Sequence, residues 1–272
     1  MKQQLFAVIS ALAHAATARP TAAAAEACDR ATLVAVSDSY AAAQAAGQLE
    51  TLKGVNSDTV YTQNFKTATL ASGLLSQSFK IDHNRSTHDT TQCATYTELR
   101  RQELVANPDP PVIADSKNPH VVATQIRLAP NSTNISKIET IVTSTGDWLF
   151  NAAATLRYAS QESWGEIPEG KRDTRAVIQA AADAYLDLFS NKSVKVPWGS
   201  PCARLEGGSY IQPSCNVGVP SGIKQTNRRY VVDEVTGAVD VFFDFAGAEP
   251  DSHEFRVESG KLRYVHTLTV MH

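Results

Sequence analysis

In residues 33–43 the apolar positions Leu33, Val36, Tyr40 and Ala43 recur every three or four places, which predicts a helix with one buried face. Val177, Ala181, Tyr185 and Leu188 repeat that spacing and predict a second helix. Asp29 and Asp173 precede the two runs, where a carboxylate caps or charges a helix start. Elsewhere the period falls to two. Val122, Thr124, Ile126 and Leu128 alternate with more polar neighbours, Asn131-Ser-Thr-Asn134 interrupts, and residues 138–143 resume, which predicts a β-hairpin. Residues 239–245, 253–257 and 262–270 predict three further strands, the last two joined by a tight turn at Glu258-Ser-Gly260.

These patterns occur twice in the same order. Leu33-Val-Ala-Val-Ser-Asp-Ser-Tyr40 parallels Ile178-Gln-Ala-Ala-Ala-Asp-Ala-Tyr185. Ile126-Arg127-Leu128 parallels Phe255-Arg256-Val257, and Lys137-Ile-Glu-Thr-Ile-Val-Thr143 parallels Lys261-Leu-Arg-Tyr-Val-His-Thr267. Three collinear matches predict a tandem repeat of one α+β unit, the second copy shortened between its helix and its strands. Loops tolerate such deletions better than helices and strands do.

The helix-then-strands order, closed by Lys261-Leu-Arg-Tyr-Val-His-Thr-Leu-Thr-Val270, resembles nuclear-transport-factor-two-like and SnoaL-like domains. The run Lys80-Ile-Asp-His-Asn-Arg-Ser86 through Cys93-Ala-Thr-Tyr-Thr-Glu98, with Arg228-Arg-Tyr-Val-Val-Asp-Glu234, is similar to an uncharacterised family of secreted fungal proteins over nearly all of the mature chain. The first resemblance implies an α+β fold of two tandem cone-like units, each a long helix packed on a curved antiparallel sheet. The expected division is 1–18 leader, 19–165 first unit and 166–272 second unit. Neither resemblance supplies a catalytic motif.

Composition narrows the field. At 272 residues and 43% hydrophobic content the chain can bury one large core or two small ones. A net charge of −3 without a basic stripe speaks against nucleic-acid binding. No apolar run reaches membrane-spanning length beyond the N-terminus. There, Lys2, the apolar residues 5–13 and the small residues Ala16-Thr-Ala18 make a signal peptide, with the mature chain starting near Arg19. Export to the cell exterior or the secretory lumen fits four cysteines, Cys28, Cys93, Cys202 and Cys215. Of three possible connectivities the repeat favours Cys28–Cys93 and Cys202–Cys215. Four sequons, at Asn84, Asn131, Asn134 and Asn191, predict two or three glycans, since Asn131 and Asn134 compete.

Chemistry is sparser. No Gly-rich phosphate loop and no Gly-x-Ser-x-Gly elbow occur. His83 and His88 stand with Asp82 and Asp89, but nothing completes a metal set, and loop histidines among polar residues are expected to be solvated. Neither a metal nor a cofactor is expected. Alternation along the last strand places Leu262, Tyr264, His266, Leu268 and Val270 on one bulky face, expected to point inward, and His253, Phe255 and Val257 on a face of the neighbouring strand. His266 and His253 are therefore expected to line one cavity, with catalytic candidates Tyr264, Tyr61 and His83. Phe243, Tyr185 and Trp198 would contact substrate, Trp198 as the wall of the pocket. By the repeat, the first unit would carry Val142 and Thr124 in place of the histidine pair.

SnoaL-like folds include cyclases and dehydratases such as scytalone dehydratase, and fungal biosynthetic pathways use related scaffolds. The resemblance thus implies a cofactor-independent enzyme of natural-product biosynthesis. The expected reaction is cyclisation, isomerisation, dehydration or a Diels–Alder-type closure of a small apolar oxygenated substrate, by ordering and hydrogen bonding. The alternative is a secreted binding or host-interaction protein without turnover. A homodimer is compatible with either.

Overall fold

The computed structural model describes residues 28–78, 80–101, 119–216 and 218–271; the expected leader, 1–18, lies outside them. Helix α1 (Arg30–Ala46) begins where the Asp29 carboxylate accepts the Thr32 amide at 2.7 Å and ends at Gly47, whose φ of 64° suits glycine. It is followed by β1 (Val60–Gln63), β2 (Lys66–Thr67), β3 (His83–Asp89), β4 (Ala94–Arg101), β5 (His120–Leu128) and β6 (Ile135–Thr143). Helix α2 (Ala152–Ala159) leads to α3 (Arg175–Asp187), and then to β7 (Trp198–Glu206), β8 (Ser209–Ile211), β9 (Thr226–Asp233), β10 (Ala238–Phe245), β11 (Glu249–Glu258) and β12 (Lys261–Thr269).

The repeat is explicit in the topology. One six-stranded sheet runs β2-β1-β6-β5-β4-β3 and the other β8-β7-β12-β11-β10-β9. In each, the first strand pairs in parallel with the last, β1 with β6 and β7 with β12. The expected hairpins are β5–β6 and β11–β12, the second turning through Ser259 and Gly260, both with positive φ as a two-residue turn requires.

The core has three parts. On one side Leu33, Val36, Tyr40 and Ala43 of α1 pack on Leu99, Val122, Ile126 and Ile138 of the first sheet. On the other, Ile178, Ala181 and Tyr185 of α3 pack on Val239, Val241, Phe255 and Val265 of the second. Between the sheets lie Tyr96, Val121, Ala123 and Ile141 against Val231, Phe242, Leu268 and Val270. Each fully buried side chain of this size contributes about 2 kcal/mol. The layers therefore run helix, sheet, sheet, helix. Val177, expected on the buried face of α3, is instead 41% exposed, because Ile178 sets the phase. Thr174 caps that helix, and Asp173 binds the Gly260 amide instead.

One irregularity decides which side chains face which layer. In β12, Leu262 pairs with Val257 but Tyr264 pairs with Arg256, so Arg263 is an extra residue. A β-bulge of this kind turns every later side chain to the opposite face. The first sheet carries the same bulge at Ser136, since Leu128 pairs with Ile135 and Arg127 with Lys137. The matching bulges equate Lys137 with Tyr264, and hence Glu139, not the expected Val142, with His266. Thr124 remains the counterpart of His253.

Candidate functional site

A cavity of about 470 Å³ lies in the second unit beside α3. Its polar wall comes from strand register. Asp251 and His253 are two apart on β11 and so share a face. Thr269 and Thr267 sit directly across from them on β12. The His253 Nδ1 lies 2.6 Å from an Asp251 carboxylate oxygen, and the Thr269 hydroxyl donates to the other oxygen, also at 2.6 Å. Asp251 is fully buried. A carboxylate at Nδ1 fixes the proton there, which leaves Nε2 of the neutral ring as an acceptor. The rings of Tyr185, Phe243 and Phe255 stand 5.6, 5.2 and 5.8 Å from the imidazole and hold its plane.

The neighbouring wall is β7. Arg204 and Glu206 share its inward face, and Arg204 Nε donates to Glu206 at 3.1 Å. Burial pushes the Tyr185 phenol well above its ordinary range, although Arg204 beside it pulls the other way. Burial opposes the charge on Arg204, but the Tyr185 and Glu206 oxygens outweigh it and raise its pKa. Trp148, Phe189, Ile223, Phe245 and Met271 supply the apolar lining. Trp148 is held there by an indole hydrogen bond to Glu206 at 2.9 Å and by close packing of its backbone on Gly207. Gly207 has φ of +60°, and a Cβ there would stand 2.2 Å from the Trp148 carbonyl oxygen, so glycine is required.

The first unit holds other groups at the same register positions. Tyr61 and Gln63 replace Arg204 and Glu206, while Val122 and Thr124 replace Asp251 and His253. Their polar groups are satisfied within the unit: the Tyr61 hydroxyl donates to Gln63 at 3.0 Å, and Thr124 meets the Tyr40 hydroxyl at 2.6 Å. Burial raises the Tyr61 phenol pKa, and Tyr61 is a core residue rather than the rim of a cavity.

The expected histidine pair is therefore split. His253 and Tyr185 line the cavity, and Phe243 stands behind His253. Trp198 meets Tyr185 edge-on at 5.7 Å and is not part of the cavity lining. His266 and Tyr264, reversed by the bulge, face the seam between the sheets. There the His266 Nε2 lies 2.6 Å from Glu162 and its Nδ1 3.2 Å from Glu98. Arg85 and Arg100 approach the same Nδ1 within 3.1 and 3.2 Å, Glu254 binds Arg85, and the Trp164 ring covers the Arg85 guanidinium at 3.8 Å. Burial works against the imidazolium, yet Glu162 and Glu98 outweigh it and raise the His266 pKa. Glu98, Glu254 and His266 bring three potential metal-ligand atoms within 4.8 Å of one another, but Arg85 and Arg100 already neutralise the two carboxylates.

His83 and His88 belong to strand β3, not to a solvated loop. Burial, with Arg100 and Arg85 nearby, lowers His83 to about 4, and burial with Arg30 nearby lowers His88 to about 4. A family model for a domain of unknown function, DUF8021, matches residues 171–269. The match covers the second unit and therefore the whole polar wall of the cavity. No curated protein matches the chain. Both disulfides, Cys28–Cys93 and Cys202–Cys215, are formed, one in each unit. Among the described residues no helix is long and apolar enough to cross a membrane. Bridged cysteines are compatible with an oxidising, secretory compartment.

Asp251, Thr269, Arg204, Glu206 and Glu249 were not legible as site residues from the sequence. Asp251 carried a usable signal, since an acid two places before a strand histidine shares its face. The others are joined to it only by strand pairing.

Proposed function

We propose that the protein is a secretory-pathway, cofactor-independent enzyme that moves a proton on a small, largely apolar, oxygenated molecule held in the second-unit cavity. The carrying observation is the Thr269–Asp251–His253 chain on the cavity wall. Nε2 of His253 takes a proton from carbon next to a carbonyl, and Asp251 stabilises the imidazolium that forms. The Tyr185 hydroxyl, held beside Arg204, is the donor for the oxygen that gains negative charge. Returning the proton to another carbon gives isomerisation. Delivering it to a departing hydroxide gives water and a dehydrated product. A ring closure of a conjugated enone uses the same ordering and the same donors. The likeness to SnoaL-like cyclases and dehydratases and to secreted fungal proteins supports the cone-shaped reading of each unit and a place in natural-product biosynthesis.

The second reading, binding without turnover, is favoured by the burial of His253, which is 2% exposed. Incubation of the protein in D₂O with cyclic enones and β-hydroxyketones, followed by mass spectrometry, separates the two. Deuterium entry or water loss should fall by about a hundredfold or more in His253→Gln, the scale expected for a lost acid–base group. Ligands that bind the unmodified protein yet neither exchange nor eliminate would leave only the binding reading.

A further inference from the structure

The charges around the cavity do not balance. Glu206, Glu249 and Asp251 line it, and among the described residues Arg204 is the one lysine or arginine that does. Arg204 is committed to Glu206, and Asp251 is satisfied by His253 and Thr269. Glu249 is left over. It sits where β11 leaves the β10–β11 turn, opposite Phe245, and its Oε2 is shielded from solvent without a hydrogen-bond partner among the described residues. The nearby indole N–H of Trp148 is already donated to Glu206. A shielded carboxylate oxygen without a donor is costly, and a ligand that supplies one recovers that cost.

We infer that the cavity selects apolar molecules bearing a hydrogen-bond donor, a hydroxyl or a protonated amine, that reaches Glu249, and that it rejects carboxylic acids. The inference rests on the cavity being the ligand site and adds the substrate class. An acid entering would add a further negative charge beside Glu249 and Asp251, with the Arg204 guanidinium already engaged by Glu206. A donor placed at Glu249 would leave the far end of the molecule beside Tyr185 and His253. An ammonium would gain further from the aromatic rings of Trp148 and Phe245 in the same lining.

Three probes that share one ring system test this: 2-naphthol, 2-naphthylmethylamine and 2-naphthoate, titrated calorimetrically into the full glycosylated protein near neutral pH. The naphthol and the amine should bind, and the naphthoate should bind at least about tenfold more weakly, a difference easily resolved. Amine binding tighter than naphthol binding identifies a cation as the preferred donor, and the reverse order a hydroxyl. In Glu249→Gln the naphthoate should recover to within about twofold of naphthol, and any advantage of the amine should disappear. The ranking in the unmodified protein decides the matter even if the variant folds poorly. Equal binding of all three overturns charge selection while leaving the proton-transfer reading intact. Binding by none overturns both.

Discussion

Arg175, the first residue of α3, clasps Asp89 at the end of β3 with both terminal guanidinium nitrogens, at 2.7 and 2.8 Å. The twin contact runs the other way: Arg30, the first residue of α1, meets Asp233 at the end of β9 at 2.8 Å. Strand register makes Asp89 and Asp233 equivalent, opposite Ala94 and Ala238 respectively. Each carboxylate also accepts a backbone amide from the other unit, Val232 for Asp89 and His88 for Asp233. The two units are thus locked by one contact used twice, as a pseudo-twofold axis demands.

Asp89 and Asp233 are buried, so removing either acid leaves an arginine and a backbone amide without their partner. Asp89→Ala should lower unfolding stability by about 3 kcal/mol, the scale for breaking a buried pair. Arg30→Ala should cost less, because the pair is part-exposed on the arginine side and Asp233 keeps the His88, Val235 and Thr236 amides as donors. Urea melts of the two variants check the order. A milder effect in Asp89→Ala than in Arg30→Ala would refute the lock.

The Cys202–Cys215 bridge spans 13 residues, while Cys28–Cys93 spans 65. Replacing Cys202 and Cys215 together by alanine should destabilise by about 3 kcal/mol on loop-entropy grounds, and the longer bridge should matter at least as much. Non-reducing peptide mapping should recover both pairs, and denaturant titration should give the two costs.

Asn84, Asn131, Asn134 and Asn191 are all exposed, so a glycan at any of them meets solvent. Protein made in a eukaryotic secretory host should carry glycans at Asn84, Asn191 and one of Asn131 and Asn134. Intact mass before and after amidase treatment measures this. Unchanged mass would contradict the expected export.

Local pattern carried much of the fold and little of the site. The helix faces around Tyr40 and Tyr185, the β5–β6 and β11–β12 hairpins and the repeat were legible because each depends on nearby residues. Strands β1 to β4 and β7 to β9 were not; in β3 and β9, for example, Arg85 and Arg229 are polar residues whose partners lie far along the chain. Arg85 meets Glu254 across the seam, and Arg229 meets Glu139. Alternation also misassigned His266, because a single extra residue at Arg263 reversed the phase, and nothing in the run Lys261-Leu-Arg-Tyr264 marks it. His253 stays on the face it shares with Phe255, because no bulge separates the two.

The seam and the outer strand give histidines of opposite pH behaviour. His266 faces Glu162 and Glu98 at its two nitrogens, with Arg85, Arg100 and Glu254 around them and Trp164 over the ring. Its folded pKa lies above the ordinary 6.5. Its contribution is therefore complete below about pH 6.5 and is lost as the pH rises through the folded value. His88 is the reverse. It accepts or donates one bond, to Ser37 at 3.0 Å, and its folded pKa is lowered to about 4. Its contribution is present above about 6.5 and is lost as the pH falls from there toward 4. His266→Gln should consequently cost more stability near pH 6 than at alkaline pH, where the raised-pKa advantage of the wild-type ring fades. His88→Gln should behave oppositely and gain on the wild type as the solution is acidified. Urea midpoints for wild type and both variants across this range provide the comparison. Parallel pH profiles for the two variants would show that the seam does not hold His266 as an imidazolium.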